Sequence, residues 1–286
     1  MDNLIIRKDN HIIQKTINRF TYKQNQLMAL LLGKYINLEN NECINTSITI
    51  SEIHSFLGMT NATKNYEEIR KTIRQFGENG SVGCLELNKK GEYEYVWRPY
   101  FKEIRLNENE CVFEWNDLMK PYLLNLKNSY TQYLSNDYLK LKSVYSQNLY
   151  EQLKSLENFK KKYGKNPIIP LEDIRNFLQV NDEGCYKEFK RLNDLVIKRA
   201  IKEINEVTDL NVSYETQKKG RKVVAIVFNI IRKNWNYTNK QKENLPDWYN
   251  QTQATTPSDE LLNQVKALQE QMFEPENIND CPLIKV

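Results

Sequence analysis

Cationic side chains concentrate between Tyr186 and Ile230, and the chemistry that they offer is the binding of anions. The segment reads YKEFKRLNDLVIKRAIKEINEVTDLNVSYETQKKGRKVVAIVFNI. An arginine presents a planar fork of donors that fits a phosphate or the O6 and N7 edge of guanine, whereas a lysine supplies a compact point charge. The segment therefore predicts a surface that binds nucleic acid.

The first part of this segment predicts one long amphipathic helix. At about 100° per residue, one face carries the apolar side chains Tyr186, Phe189, Leu192, Val196, Ile197, Ala200, Ile201 and Ile204. The opposite face and its flank carry Lys187, Lys190, Arg191, Asp194, Lys198 and Lys202. Asn193 projects with the apolar set, so we exclude it from the reading surface. An ordinary solvated face is the alternative interpretation of these charges.

The position of each charge along the helix suggests its role. A helix in the major groove reads bases mainly from its N-terminal part, so the base-edge candidates are Lys187, Lys190, Arg191 and Asp194. Arg191 is the best guanine reader, while Asp194 either accepts from a cytosine amine or orients Arg191. Lys198 and Lys202 lie farther along, and we expect them to contact phosphates.

Two short strands and a tight turn follow the helix. The turn, QKKGRK, needs Gly220 for a positive φ and offers four cations at one tip. These cations are Lys218, Lys219, Arg221 and Lys222. A helix followed by such a hairpin predicts the wing of a winged helix, with a loop kept basic for solubility as the alternative.

Charge is distributed unevenly along the 286 residues. Residues 1–137 hold 17 Lys and Arg against 17 Asp and Glu, residues 138–233 hold 20 against 12, and residues 234–286 hold 4 against 8. Residues 1–137 are therefore neutral, residues 138–233 are basic and residues 234–286 are acidic. We expect residues 138–233 to bind the anion.

The predicted elements occur twice in a similar order. Helices at 21–36, 51–58 and 63–76 precede a strand–turn–strand over 83–106, and at Asn136 the order restarts with a long helix at 137–164. A turn at 166–170, a short helix at 171–178 and the segment described above complete the second unit. The prediction is an α+β fold of two tandem winged helices, with domains at 1–135 and 136–233. Residues 234–286 are predicted as a flexible acidic linker and tail with a short helix at Ser258–Phe273.

The first unit has its own cationic candidates. The polar side of its third predicted helix carries Lys64, Arg70, Lys71 and Arg74. Glu67 and Glu68 interrupt that side, and the unit is neutral overall. These four residues are therefore candidates for auxiliary DNA contact, and a structural or dimer-forming role is an equal alternative.

Other function classes find little support in the sequence. No phosphate-binding G-x-x-x-x-G-K-[ST] loop occurs, the five cysteines lack zinc spacing and are read as reduced thiols, and His11 and His54 are too far apart for a metal-dependent nickase. We expect no enzymatic activity and no cofactor, although a nickase remains a weak alternative. Neither a signal peptide nor an apolar run of membrane-spanning length is present, which predicts a cytoplasmic protein without a membrane partner.

Local motifs resemble a known family, the iteron-binding plasmid replication initiator (Rep) proteins of theta replication. The resemblance rests on the YKEFKR opening of the long helix, its AIKEIN centre, the TDL entry into the first strand and the KGRK turn. Upstream, YSQNLYEQL at Tyr145–Leu153 and the helix at Leu171–Leu178 resemble the same domain. The front half, Asn18 to Leu134, fits the first winged helix of that family more loosely.

The resemblance implies binding to directly repeated origin sites in double-stranded DNA, melting of an AT-rich stretch and recruitment of host replication proteins of the helicase-loading machinery. It also implies that the monomer, in equilibrium with a homodimer, binds the origin, and that the dimer represses its own promoter or handcuffs origins. The resemblance implies DNA contact for Lys187, Lys190, Arg191 and Lys198, and wing contact for Lys218, Lys219, Arg221 and Lys222. A winged-helix transcription regulator is the alternative of the same binding class.

Overall fold

The structure is a computed structural model, and it describes residues 4–17, 19–37, 42–43, 46–59, 63–87, 90–124, 126, 130–180 and 184–233. The predicted acidic linker and the helix predicted at Ser258–Phe273 lie outside the described residues. The chain divides into two compact units, Met1–Glu86 with Glu94–Asn234, and Leu87–Tyr93 with Trp235–Val286. The first unit contains the helices of both winged helices.

The front half of the described chain, which we predict to be the first winged helix, is built on five α-helices and short antiparallel sheets. Its helices are α1 (Asn10–Lys15), α2 (Tyr22–Tyr35), α3 (Ile50–Phe56), α4 (Thr63–Asn79) and α5 (Lys120–Leu123). Its strands are β1 (Ile5–Asp9), β2 (Thr16–Ile17), β3 (Ile36–Asn37), β4 (Glu42–Cys43), β5 (Thr46–Thr49), β6 (Ser81–Leu87), β7 (Tyr93–Pro99), β8 (Phe101–Leu106), β9 (Glu110–Trp115) and β10 (Tyr130–Leu134). Strand orders are β2-β6-β7, β5-β9-β8, β3-β4 and β1-β10.

Local chemistry fixes the ends of the first unit's helices. Thr21 begins α2, since its hydroxyl accepts from the Gln24 amide at 3.3 Å while Gln24 Oε1 accepts from the Thr21 amide at 2.9 Å. The end predicted for the third helix at residue 76 is wrong, because α4 continues through Gly77 to Asn79. The chain turns at Gly80, where a Cβ would lie 2.2 Å from the Phe76 carbonyl oxygen.

The second half of the described chain, which we predict to be the second winged helix, ends in a long hairpin. Its helices are α6 (Ser135–Lys140), α7 (Val144–Ser155), α8 (Phe159–Tyr163), α9 (Leu171–Leu178), α10 (Phe189–Leu192) and α11 (Lys198–Val207), with a π turn at Asn193–Ile197 between the last two. Its strands are β11 (Ile168–Pro170), β12 (Leu210–Lys219) and β13 (Lys222–Arg232), in the order β11-β13-β12. The predicted α+β fold of two tandem winged helices is confirmed.

The single helix predicted at 137–164 is wrong, since the structure has three helices there. The chain is extended at Ser143, whose hydroxyl accepts from the Ser146 amide at 3.0 Å and so starts α7. The preceding Lys142 amide donates to Glu203 Oε1 of α11 at 2.7 Å. Gly164, at φ 70°, ends α8 as predicted.

Two predictions about the second sheet also need correction. The turn predicted at 166–170 contains β11, which pairs with β13 through Ile168 opposite Val227 and Pro170 opposite Ala225. The strands predicted to be short have 10 and 11 residues. They are long because only the first part of β12 and the later part of β13 cover the core, while the ends that meet at the turn extend beyond it as a ribbon.

Helix α7 lies at the centre of the first unit and packs against α1, α2, α9 and α11. Its Leu149, Tyr150 and Leu153 are fully buried. Asn148 joins the two halves, accepting from Asn25 Nδ2 at 3.0 Å and donating to the Phe177 carbonyl at 2.9 Å. No helix among the described residues is long and apolar enough to cross a membrane.

Candidate nucleic-acid interface

The long helix of the second winged helix runs from Phe189 to Val207 with a π turn inside it. The Lys198 amide donates to the Asn193 carbonyl, five residues back, as a π turn requires. The inward face is the predicted one, with Leu192, Val196, Ile197, Ala200, Ile201 and Ile204 buried. A long amphipathic helix is therefore confirmed, although its interior is not regular.

The helix begins later than the sequence predicts. Tyr186 belongs to a 3₁₀ turn, Gly184–Tyr186, and Lys187 precedes the helix. Arg175 of α9 holds this entry, since its guanidinium donates to the Tyr186 carbonyl at 2.8 Å and to the Lys187 carbonyl at 3.0 Å. Lys187 is thus placed by backbone contacts just ahead of the helix rather than in its first turn.

Asn193 does not project with the centre of the apolar face, as a regular α-helix would require. Leu192 takes the core position, with no exposed surface, and Asn193 is half-buried at the edge. There its Oδ1 accepts from the hydroxyl of Tyr214 on β12. The π turn therefore places this amide at the edge of the apolar face, where it joins the helix to the hairpin, and the exclusion of Asn193 from the reading surface stays a prediction.

The outer face of the helix presents the predicted charges. Lys187, Lys190, Arg191, Lys198 and Lys202 are exposed. Asp194 lies 2.7 Å from Lys198 and not against Arg191, so the prediction that it orients Arg191 is wrong. The Lys198 ammonium lowers the pKa of Asp194, and the Asp194 carboxylate raises the pKa of Lys198.

Two exposed residues of this face were missed by the sequence analysis, Leu195 and Arg199. Leu195 is 41% exposed, and Arg199 is exposed one turn farther along. The same count of about 100° per residue puts both on the outer face, so the periodicity could have found them. Arg191 and Arg199 form no ion pair with any described residue, and both guanidinium groups are therefore available to an anion.

The hairpin carries its cations at the tip, as predicted. Lys219 pairs with Lys222 across a two-residue turn of Gly220 and Arg221. Gly220 has φ 62° and Arg221 has no positive φ, which corresponds to a type II′ turn. The predicted positive φ at Gly220 is confirmed. All four cationic residues of the tip are exposed: Lys218, Lys219, Arg221 and Lys222.

Hydrogen bonds fix the base of the hairpin to the helix. Asn205 of α11 donates to the Val212 carbonyl at 2.9 Å and accepts from the Val212 amide at 2.7 Å. Together with the bond between Tyr214 and Asn193, these contacts join β12 to both halves of the helix. The cationic helix face and the hairpin are therefore joined by side-chain hydrogen bonds.

A buried cluster of charged side chains lies at the start of β12, where the hairpin meets α7. Lys154 of α7 lies 2.5 Å from Asp209, the residue before β12, and 2.5 Å from Glu157. Tyr150 donates to Asp209 at 3.0 Å. Burial raises the pKa of Asp209, but Lys154, Arg232 and the Tyr150 hydroxyl together lower it by more, so the net shift of the pKa is downward. The start of β12 is thus held by a paired and hydrogen-bonded carboxylate.

The cationic candidates of the first winged helix lie together on α4. Lys64, Lys71 and Arg74 are exposed. Arg70 is engaged within the protein, with Nη1 2.7 Å from Glu67 and Nη2 donating to the Glu108 carbonyl at 2.6 Å. Arg70 therefore ties α4 to the turn between β8 and β9 and is the least available of the four. No group of three or more potential metal-ligating side chains occurs within the described part of the chain.

The helix order and the two hairpins define a protein of two tandem winged helices. A family model described as initiator replication protein, WH1, matches residues 5–154, and one described as initiator Rep protein, WH2, matches residues 170–230. The chain belongs to this family of initiator replication proteins. The family predicted from the sequence motifs is confirmed.

Two relatives illustrate the similarity. A replication initiation protein of Escherichia coli is 30% identical over 141 residues, which cover 49% of this chain and 42% of that protein. The match thus spans less than half of that relative. The crystal structure of the Pi initiator protein in complex with iteron DNA superimposes with a TM-score of 0.58 at 19% identity, covering 81% of this chain and 98% of that one. At this identity the likeness supports the fold.

Proposed function

We propose that this protein initiates plasmid replication by binding directly repeated origin sequences in double-stranded DNA. The observation that carries the proposal is the joined pair of cationic elements, the outer face of the long helix and the tip of the β12–β13 hairpin. An α-helix fits the major groove, and a basic hairpin beside it meets phosphates or the minor groove. Membership of a family of initiator replication proteins supports the same function, and the Pi initiator protein, which has a similar fold, was crystallised with iteron DNA.

The roles of the residues follow from their positions. Base edges are assigned to Lys187, Lys190, Arg191 and Asp194, and phosphates to Lys198 and Lys202. The wing contacts are assigned to Lys218, Lys219, Arg221 and Lys222. Since Asp194 is paired with Lys198 in the free protein, it meets a cytosine amine only if that exposed pair opens, which costs little.

We also propose that the two domains have different roles. Residues 136–233 are the main DNA-binding domain, and residues 1–135 provide dimerisation and auxiliary DNA contact through Lys64, Lys71 and Arg74, with Arg70 as a supporting residue. The protein acts in the cytoplasm, opens the origin and recruits host replication proteins. A homodimer in equilibrium with the monomer represses its own promoter. The family membership supports these steps.

Footprinting of the purified protein on the DNA that flanks its gene tests the proposal. We expect protection of several short direct repeats, each covered by one protein molecule. Protection of a lone inverted repeat would favour the transcription regulator instead, and the absence of any preferred site would contradict both. Cleavage of supercoiled DNA that depends on added Mg²⁺ would favour the nickase.

A further inference from the structure

An apolar side chain stands at the centre of the cationic helix face. Leu195 is 41% exposed, with Arg191 one turn before it and Arg199 one turn after it. Single exposed apolar residues are common on protein surfaces and need no explanation by themselves. The placement of Leu195 is different, because it lies between two arginines that no described residue neutralises.

The π turn sets this placement. Leu195 is the middle residue of Asn193–Ile197, and π turns are rare and occur often at functional sites. Arg191, Leu195 and Arg199 follow one another about one turn apart on either side of and within this π turn, so they form one row along the outer face of the helix.

The row is anchored to the hairpin. The Tyr214 hydroxyl donates to Asn193 at the start of the π turn, and the Tyr214 ring packs 6.1 Å from the ring of Phe228. Both aromatic residues belong to the sheet that carries the wing. The π turn is therefore a tethered feature of the fold, and the tether fixes where Leu195 stands relative to the wing.

We infer that Leu195 reads the methyl group of a thymine, between the DNA contacts made by Arg191 and Arg199. The C5 methyl of thymine is the apolar group that a base pair displays in the major groove, and apolar side chains recognise it by contact. Arg199 and Arg191 hold the helix on either side through bases or phosphates. Leu195 is thus a specificity-determining residue, an inference that rests on the proposed function, since it requires this helix to lie in the major groove.

Replacing thymine by deoxyuridine tests the inference, because it removes the methyl group and nothing else. A duplex with one protected repeat is prepared in a series, each member with one thymine replaced. We expect one position at which the wild-type protein binds deoxyuridine about four-fold more weakly, the value of one buried methyl group. At that position the Leu195→Ala variant should bind thymine and deoxyuridine equally.

Two variants separate a reading role from a structural one. Leu118→Ala truncates a leucine of the first winged helix that is 62% exposed, and it should keep the four-fold difference. Tyr214→Phe removes the hydroxyl that anchors Asn193, and it should reduce the difference while the repeat is still bound. Circular dichroism and thermal unfolding confirm that each variant is folded.

Different results would contradict the role of Leu195 and the proposed function. If no thymine is sensitive in the wild-type protein, or if Leu195→Ala keeps the whole four-fold difference, Leu195 does not read a methyl group although the protein binds the repeat. If the wild-type protein shows no preference for the repeat over scrambled DNA, the proposed function itself is wrong, and the inference falls with it.

Discussion

At the scale of single residues, the contacts that an arginine makes within the protein decide whether its guanidinium group is available to an anion. Arg70 and Arg191 both follow from the sequence as exposed cations on a helix. In the structure Arg70 is held by Glu67 and by the Glu108 carbonyl, whereas Arg191 has no ion-pair partner among the described residues. The difference depends on a turn 38 residues away in the chain, which a helical pattern does not contain.

Asp137 makes the stability of the protein depend on pH. Burial, and then the negative charge of Asp209, raise the pKa of Asp137 from 3.8 to about 6. Folding therefore favours the protonated carboxyl. This contribution to stability is complete below pH 3.8 and is lost as the pH rises through about 6.

The Asp137→Asn variant keeps a neutral side chain at every pH. At about pH 7.5 we expect its free energy of unfolding to exceed that of the wild type by on the order of 1–3 kcal/mol. At about pH 4 the gain should largely disappear. Denaturant titrations at both pH values measure the difference, and a gain of the same size at both would show that ionisation of Asp137 is not its cause.

At the scale of elements, the sequence predicts the long regular patterns and misses their interruptions. The helix α9 and the hairpin β12–β13 follow from periodicity and turn chemistry. The helix predicted at 137–164 is broken because Ser143 starts a new helix and Lys142 bonds to Glu203 of α11, a tertiary contact. The π turn likewise depends on Tyr214, which lies in another element.

The wing turn should be sensitive to backbone strain alone. Gly220 has φ 62°, and a Cβ at this position meets no atom within 4 Å. Gly220→Ala should therefore destabilise the protein by about 1–2 kcal/mol, the cost of a left-handed conformation for an L-residue.

Gly77 provides the matched control for that substitution. It lies inside α4, and a Cβ there also meets nothing within 4 Å. Gly77→Ala should stabilise the protein by about 0.5–1 kcal/mol, because alanine favours a helix interior. Thermal unfolding compares the two variants. Equal effects would contradict the positive φ at the wing.

The wing cations should add affinity without sequence preference. Replacing Lys219 by alanine removes one positive charge from the exposed tip. We expect weaker binding to every duplex alike, with a slope of log K against log salt that is smaller by about 0.9. Lys161→Ala, on α8, is the control and should leave the slope unchanged. A loss confined to the repeat sequence would mean that Lys219 reads bases.

At the scale of the whole molecule, two winged helices share one central helix. Helix α7 contacts helices of both halves, and the buried pair of Lys154 and Asp209 connects it to the start of β12. The sequence predicts the duplication from the repeated order of elements. It does not predict how the two halves pack against each other. That packing includes the pair of Lys8 and Glu151, which are 143 residues apart in the chain, so no local pattern contains it.

The same limit applies to the candidate interface. The helix, the wing and their cations follow from local patterns, and the family from local motifs. The hydrogen bond between Asn193 of the π turn and Tyr214 does not, because Tyr214 lies in another element. The assignment of DNA contact to the cations of the helix and the wing stays a prediction.

The affinity of the Arg191→Ala variant for repeat and scrambled duplexes tests the central claim most directly. The claim is that the outer face of the long helix reads the sequence of the origin repeat. At one fixed salt concentration, the variant should lose about 1–3 kcal/mol of binding free energy on the repeat and little on scrambled DNA. Arg105→Ala, which truncates an exposed arginine of β8, should bind both as the wild type does. An equal loss for Arg191→Ala on both duplexes would contradict the claim.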